Sequence, residues 1–205
     1  MTQGADRRHL DYTRGITMNT RVLLAAAASA ALALTSVGIP AASAGTHPAS
    51  TSKSAAKVRT ITARGNEAAF TTPSGNITCD MTVVKRGRAD VRCDITNRTW
   101  KVKKPRTCEV DYGHALYLFG GRGVILCAGD TALGTAALSN RSATRWFSAK
   151  RDVVVRTHGM RRAGLRYGTA LKLADTTCVS TKTGVTCTNT KRHGFFLSKG
   201  SYRTW

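Results

Sequence analysis

From Ala68 onward, apolar residues occur in short segments that alternate with polar positions and are separated by Gly, Asn, Asp and Pro. Alternation of this kind is typical of β-strands with one buried face, because successive side chains of a strand point to opposite sides. No long stretch repeats its apolar positions with the helical period of 3.6. The segments predicted as strands are Ile77–Val84, Asp90–Ile95, Ala115–Phe119, Val124–Cys127 and the two arms of Thr176–Thr188.

The clearest hairpin runs from Thr176 to Thr188. β-Branched residues surround Cys178 and Cys187, and the turn formers Ser180–Gly184 lie between them. The two cysteines are symmetric about Lys182 and Thr183, so a tight turn sets them directly opposite each other. Directly opposed strand residues are close enough for a disulfide. This hairpin is therefore predicted to carry a cross-strand disulfide.

The other four cysteines also bracket turns. Of the 15 connectivities that six cysteines allow, the one that brackets three turns is Cys79–Cys93, Cys108–Cys127 and Cys178–Cys187. The pairs enclose 13, 18 and 8 residues. Structural zinc sites usually need ligands two to four residues apart. Disulfides are therefore favoured, and we predict neither a metal site nor a cofactor.

These patterns together predict an all-β fold. We expect a compact domain of antiparallel hairpins, a small sandwich or barrel-like structure, that three disulfides crosslink. The apolar positions that alternate along the predicted strands are expected to form the core: Phe70, Ile77, Val91, Ile95, Leu116, Leu118, Val124, Leu126, Val185, Phe195 and Leu197.

The N-terminal part has the pattern of an export signal. A basic start at Met18–Arg21 precedes an Ala-rich apolar run, Val22–Ile39, and a small-x-small site ends at Ala44. Residues 1–44 are thus predicted to be a cleaved signal peptide with Met18 as the true start, and an uncleaved anchor is the alternative. Residues 45–66, rich in Ser, Thr and Ala, are expected to be a flexible tether before a domain at 67–205. Six cysteines and this signal indicate a secreted, extracellular protein.

Net charge is the strongest functional signal. After removal of residues 1–44, the chain keeps 28 Lys and Arg against nine Asp and Glu, a net charge of +19 on 161 residues. Such a charge favours polyanions. No nucleic-acid-binding motif accompanies it, and export makes nucleic acid an unlikely partner. We expect a monomer that binds an anionic polymer or an anionic membrane surface without catalysis, and the alternative is that the charge is merely tolerated.

Residues 139–164 hold seven Lys and Arg, with Asp152 as the only acid. Asp152–Thr157 is predicted as a strand, whereas the sequence does not decide between loop and helix for Ser142–Lys150. Like charges at this density favour a solvated segment. The residues predicted to bind the anionic partner are Arg141, Arg145, Lys150, Arg151, Arg156, Arg161 and Arg162.

Two residues are weak candidates for catalysis. Asp130 lies in a Gly-Asp-Thr turn, and His193 opens a His-Gly-Phe sequence. The alternative function they suggest is a secreted hydrolase, although a backbone-capping aspartate and a hydrogen-bonded turn histidine explain the two residues better. The chain has no G-x-S-x-G elbow. A second alternative is an inhibitor protein that presents a disulfide-held loop.

Several sequence segments together resemble a family of small secreted actinobacterial proteins classed as a domain of unknown function. They span nearly all of 70–202, and 139–164 is longer than is usual in that family. The resemblance implies export and a compact disulfide-bonded domain, but no activity, cofactor or catalytic residue. The matching segments are Phe70-x-x-Pro73-Ser74-Gly75-Asn76-Ile77-x-Cys79, Val91–Ile95 with Trp100, Cys127-x-Gly129-Asp130-Thr131, Leu165-x-Tyr167-Gly168, Gly184–Cys187 with Asn189, and His193–Ser198.

Overall fold

The structure is a computed structural model, and it describes residues 58–205. The predicted signal peptide, residues 1–44, and most of the predicted tether lie outside the described residues. Within 58–205, no helix is long and apolar enough to cross a membrane.

Thirteen strands and one short 3-10 helix, Ala132–Gly134, make up the described domain, so the predicted all-β fold is confirmed. The strands are β1 (Arg59–Thr62), β2 (Glu67–Thr71), β3 (Ile77–Lys85), β4 (Arg88–Ile95), β5 (Tyr112–Leu118), β6 (Gly123–Cys127), β7 (Val153–Thr157), β8 (Met160–Gly164), β9 (Thr169–Leu173), β10 (Thr176–Thr181), β11 (Gly184–Asn189), β12 (Gly194–Leu197) and β13 (Tyr202–Thr204).

The strands form two sheets. One sheet has the order β1-β9-β10-β11-β12-β13, and we call it the C-terminal sheet. The other has the order β6-β5-β4-β3-β2-β8-β7, and we call it the N-terminal sheet. Most neighbours are antiparallel, as expected for consecutive hairpins. β1 against β9 and β2 against β8 are parallel.

Strand β1 falls inside the range that was predicted to be a flexible tether. Its residues Arg59–Thr62 pair in register with Thr169–Lys172 of β9. The tether prediction is therefore wrong for these four residues. The pairing supplies partners for the backbone N–H and C=O groups of β1. A segment so poor in apolar residues gives no sequence signal that predicts a strand. The Ile61 side chain also packs against the core.

All three predicted disulfides are present. Cys79 is opposite Cys93 in the β3–β4 pair, and Cys178 is opposite Cys187 in β10–β11, with a Cα–Cα distance of 4.0 Å in each case. The Sγ atoms of Cys93 and Cys187 lie 3.8 Å apart. These two disulfides therefore bring the inner faces of the two sheets into contact.

One core joins both sheets, and nine of the eleven predicted core residues are buried in it. Val124 is the clear error, because its side chain is 40% exposed. It is opposite Tyr117, on the outer side of β5, whereas Ile125 is opposite the buried Leu116 and packs against the core. The predicted register of β6 was thus wrong by one residue, which reverses the two faces of a strand. Leu126 is only half-buried.

The outer face of the N-terminal sheet is itself partly covered. Ala136 and Ala143 pack on Ala69 of β2 in a second, smaller apolar cluster. The indole Nε1 of Trp146 donates a 2.9 Å hydrogen bond to the Ala69 carbonyl. We call residues 132–147 the cover segment. It consists of turns and the short 3-10 helix. Most of Ser142–Lys150, for which the sequence did not decide between loop and helix, therefore forms turns.

Candidate functional site

Six of the seven basic residues predicted to bind the partner are exposed: Arg141, Arg145, Lys150, Arg151, Arg156 and Arg161. We call these six residues the basic segment. None of their side chains donates a hydrogen bond to, or forms an ion pair with, another residue of 58–205. The acid within this stretch, Asp152, points inward: it is buried, accepts a 2.8 Å hydrogen bond from the Ser148 amide and faces Arg59 at 3.5 Å. The exposed charges therefore have no carboxylate from their own stretch at the surface.

Arg162 does not belong to this surface, and its prediction as a solvated binding residue is wrong. Its side chain is fully buried in β8. The cover segment lies against it, since Ala137 forms a β-bridge with Arg162 and the Ala163 amide donates to the Ala136 carbonyl. The three guanidinium nitrogens have no hydrogen-bond partner among residues 58–205. Burial lowers the pKa of this guanidinium below its ordinary value.

The two weak catalytic candidates lie in different surroundings. Arg92 holds Asp130 through a 2.9 Å hydrogen bond to Oδ1 and a 2.6 Å hydrogen bond to the carbonyl oxygen. The amide of His193 donates to Oδ1 of Asn189, which places His193 in the β11–β12 turn. Among residues 58–205, no hydrogen bond joins Asp130 to His193.

Asp130 lies instead at a small acidic pocket of about 240 Å³, together with Asp94, Asp111 and His114. Arg92 also binds Asp94 through two hydrogen bonds of 2.8 and 2.9 Å. Hydrogen bonding to Arg92 holds the pKa of Asp130 below its ordinary value. Two of the three carboxylates, those of Asp94 and Asp130, are thus engaged with one arginine, an arrangement that a structural role explains without catalysis.

Asp80 carries the opposite shift on the outer face of the N-terminal sheet. It is opposite Arg92 in the β3–β4 pair but forms no hydrogen bond to it. Burial raises the pKa of Asp80 above 3.8, and the nearby charge of Glu67 raises it further. A carboxylate at this position is thus destabilised by its surroundings.

A ligand-sized pocket that combines cationic and hydroxyl side chains lies at one end of the two sheets. Its volume is about 340 Å³, and turns of both sheets form its walls. We call it the turn pocket. It contains no carboxylate among its lining residues, which include Ser74, Asn76, Asn97, Tyr167, Lys182 and Lys199.

A second basic stretch was missed in the sequence. The loop from Lys101 to Arg106, which we call the basic loop, holds Lys101, Lys103, Lys104 and Arg106, all exposed. It begins two residues after Thr99, whose amide and hydroxyl both donate to the carbonyl of the pocket residue Lys199, at 2.8 and 3.2 Å. The sequence Lys-Val-Lys-Lys-Pro-Arg was the signal that would have revealed it.

One group of side chains within 58–205 lies close enough together to hold a metal ion: Cys79, Cys93 and Cys187. All three sulfurs are in disulfides and offer no thiolate, which is the form that binds metals.

Comparison of the chain with protein-family models, with curated proteins and with solved structures gives no match.

Proposed function

We propose that this protein is a secreted, non-catalytic binding module for an anionic polymer at or outside the cell envelope. The observation that carries the proposal is the distribution of charge around the basic segment. Six cations are exposed without hydrogen bonds to residues of 58–205, while Asp152 is turned into the protein. Exposed, uncompensated cations attract a polyanion over a range set by the Debye length, about 8 Å at physiological salt.

The charge balance of the whole described domain supports the same function. Residues 58–205 hold 26 Lys and Arg against nine Asp and Glu. Four of those acids are engaged with arginines inside the domain: Asp90, Asp94, Asp130 and Asp152. Few carboxylates therefore remain to neutralise the surface. Three disulfides are compatible with an extracellular location, which is where wall polymers and extracellular polysaccharides are found.

Retention on a heparin column tests the proposal, because heparin is a defined anionic polymer. The test variant replaces the six residues of the basic segment with Gln. A matched control removes the same charge elsewhere by replacing six other exposed cations with Gln: Lys85, Arg86, Arg122, Lys172, Lys191 and Arg192. Arg162 is left unchanged in both variants because it is buried.

The test variant should elute at a clearly lower salt concentration than the control variant, since only the first loses the proposed contacts. Equal shifts for both variants would mean that net charge alone governs retention. A parent protein that passes through the column at low salt would contradict the proposed function altogether. Sedimentation with anionic vesicles distinguishes a membrane surface from a polymer as the partner, because only a protein that binds membranes sediments with the vesicles.

A further inference from the structure

The turn pocket collects residues from separate parts of the chain at one end of the domain. Ser74 and Asn76 come from the β2–β3 turn, Lys182 from the β10–β11 turn, Lys199 from the β12–β13 turn, and Tyr167 from the β8–β9 connection. Both sheets thus contribute walls. At about 340 Å³, the pocket is at the small end of the range for ligand sites.

The walls are held in place by hydrogen bonds before any ligand arrives. Asn76 donates from Nδ2 to the Asn97 carbonyl at 2.9 Å, and the Asn97 amide donates back to Oδ1 at 2.8 Å. The hydroxyls of Thr181 and Thr183 lie 2.9 Å apart across the β10–β11 turn. A preformed wall reduces the conformational entropy that binding must otherwise offset.

The groups that remain available in the pocket have a defined chemistry. Lys182 and Lys199 are exposed and form no ion pair with any residue of 58–205. Tyr167 is 36% exposed, and its hydroxyl has no hydrogen-bond partner in the same range. The Ser74 hydroxyl is exposed but already shares a 3.1 Å hydrogen bond with Thr72 Oγ1. Lys182, Lys199 and Tyr167 together offer two cations, an aromatic ring and a phenol hydroxyl, with no carboxylate among the lining residues to repel an anion.

An aromatic ring packs against the apolar face of a ligand, hydroxyl and amide groups bond to ligand hydroxyls, and ammonium groups pair with a negative charge. A saccharide unit that carries an acidic group presents all three features. We propose that the turn pocket binds one anionic sugar residue of a polysaccharide, and that the basic loop contacts the charges of the neighbouring units. This inference rests on the proposed function, which it refines by naming the ligand class and a second contact site.

Titration calorimetry with a heparin-derived tetrasaccharide tests the inference on the full secreted protein. The pocket variant is Lys182→Gln with Lys199→Gln, and the matched control is Lys191→Gln with Arg192→Gln, which removes equal charge from exposed positions outside the turn pocket, the basic loop and the basic segment. The pocket variant should bind the tetrasaccharide about tenfold more weakly, the loss expected when two exposed ion contacts are removed. The control should change the affinity less than threefold. Equal losses in both variants would overturn the inference.

Two further ligands separate sugar recognition from recognition of charge alone. Maltotetraose, a neutral oligosaccharide, should bind far more weakly than the heparin tetrasaccharide. Inorganic phosphate should compete poorly, and Tyr167→Ala should reduce tetrasaccharide binding while leaving phosphate binding unchanged. Phosphate that competes at the same concentration as the tetrasaccharide would show a simple anion site and would overturn the inference.

The outcome for the pocket is distinguishable from the outcome for the proposed function. A parent protein that is retained on heparin but binds no tetrasaccharide, or binds it without chemical-shift changes at Asn76, Asn97 and Thr183, contradicts the pocket inference alone. A parent protein that neither is retained nor binds the tetrasaccharide contradicts both.

Discussion

Replacing Arg162 with methionine should raise the free energy of unfolding. The side chain of this β8 residue is fully buried, and none of its three guanidinium nitrogens has a hydrogen-bond partner within 58–205. A methionine keeps most of the apolar stem of the side chain and removes the charge. In the unfolded chain the arginine is hydrated, so the cost of burying its charge is present only in the native state.

The size of the effect follows from two opposing contributions. An unpaired buried donor costs about 1–3 kcal/mol, and the effective cost of burying an ion is several kcal/mol. Against this, methionine leaves part of the guanidinium volume unfilled, and such a cavity is destabilising. Replacements of buried charges by apolar residues of similar volume stabilise proteins by up to about 4 kcal/mol, so we expect a gain of about 1–4 kcal/mol.

Denaturant unfolding of the disulfide-bonded protein measures this gain, with Arg161→Met as the control. Arg161 is exposed, and a surface substitution is expected to change stability by less than about 0.5 kcal/mol. The melting temperature should rise by about 2–4 °C for each kcal/mol in a domain of this size. A loss of 2 kcal/mol or more for Arg162→Met, on the order of removing one partner of a buried pair, would mean that the guanidinium is paired in the native protein.

Three other substitutions test separate features. Asp80→Asn should stabilise the protein at pH 7 and have no effect below about pH 3.8. The pKa of Asp80 is raised in the native protein, so its charge destabilises the fold only at pH values where the carboxyl is ionised in the unfolded chain. An equal effect at both pH values in thermal melts would contradict this. Replacing Cys178 and Cys187 together by Ala should cost about 2–5 kcal/mol in denaturant unfolding, and a cost below 1 kcal/mol would refute a structural role for that disulfide. Gly75→Ala should destabilise by about 2 kcal/mol, because φ is +76° and the new Cβ would lie 2.5 Å from Thr157 Cγ2; unchanged melting would show that the turn rearranges easily.

The parts of the fold that the sequence predicts correctly are local. The hairpin around Cys178 and Cys187 depends on a two-residue turn, and its register follows from symmetry about that turn. The pair Cys79–Cys93 is predicted because it brackets a turn, but a register shift between Val83 and Lys85, which the sequence does not reveal, sets the two cysteines opposite each other. In β6 the apolar run Val124–Cys127 has no alternation, so nothing local decides which of its residues faces inward, and the register was wrong there.

The features that the sequence does not predict depend on distant contacts. Arg59–Thr62 becomes a strand only because β9, more than 100 residues later, offers a free edge. Arg162 is buried although an arginine gives no local sign of burial, and a backbone bridge joins it to Ala137 of the cover segment, 25 residues earlier in the chain. The turn pocket combines residues from both sheets, so its lining cannot be read from any single motif.

The salt dependence of polyanion binding tests the proposed function most directly. Heparin affinity of the parent protein and of the basic-segment variant should be measured from low to high salt, because the logarithm of affinity falls linearly with the logarithm of salt concentration when counterions are released. The account predicts a steep slope for the parent and a markedly shallower slope for the variant that lacks the six exposed cations, with the fold of both verified by circular dichroism. Identical slopes for the two proteins, or a parent affinity that does not change with salt, would contradict it.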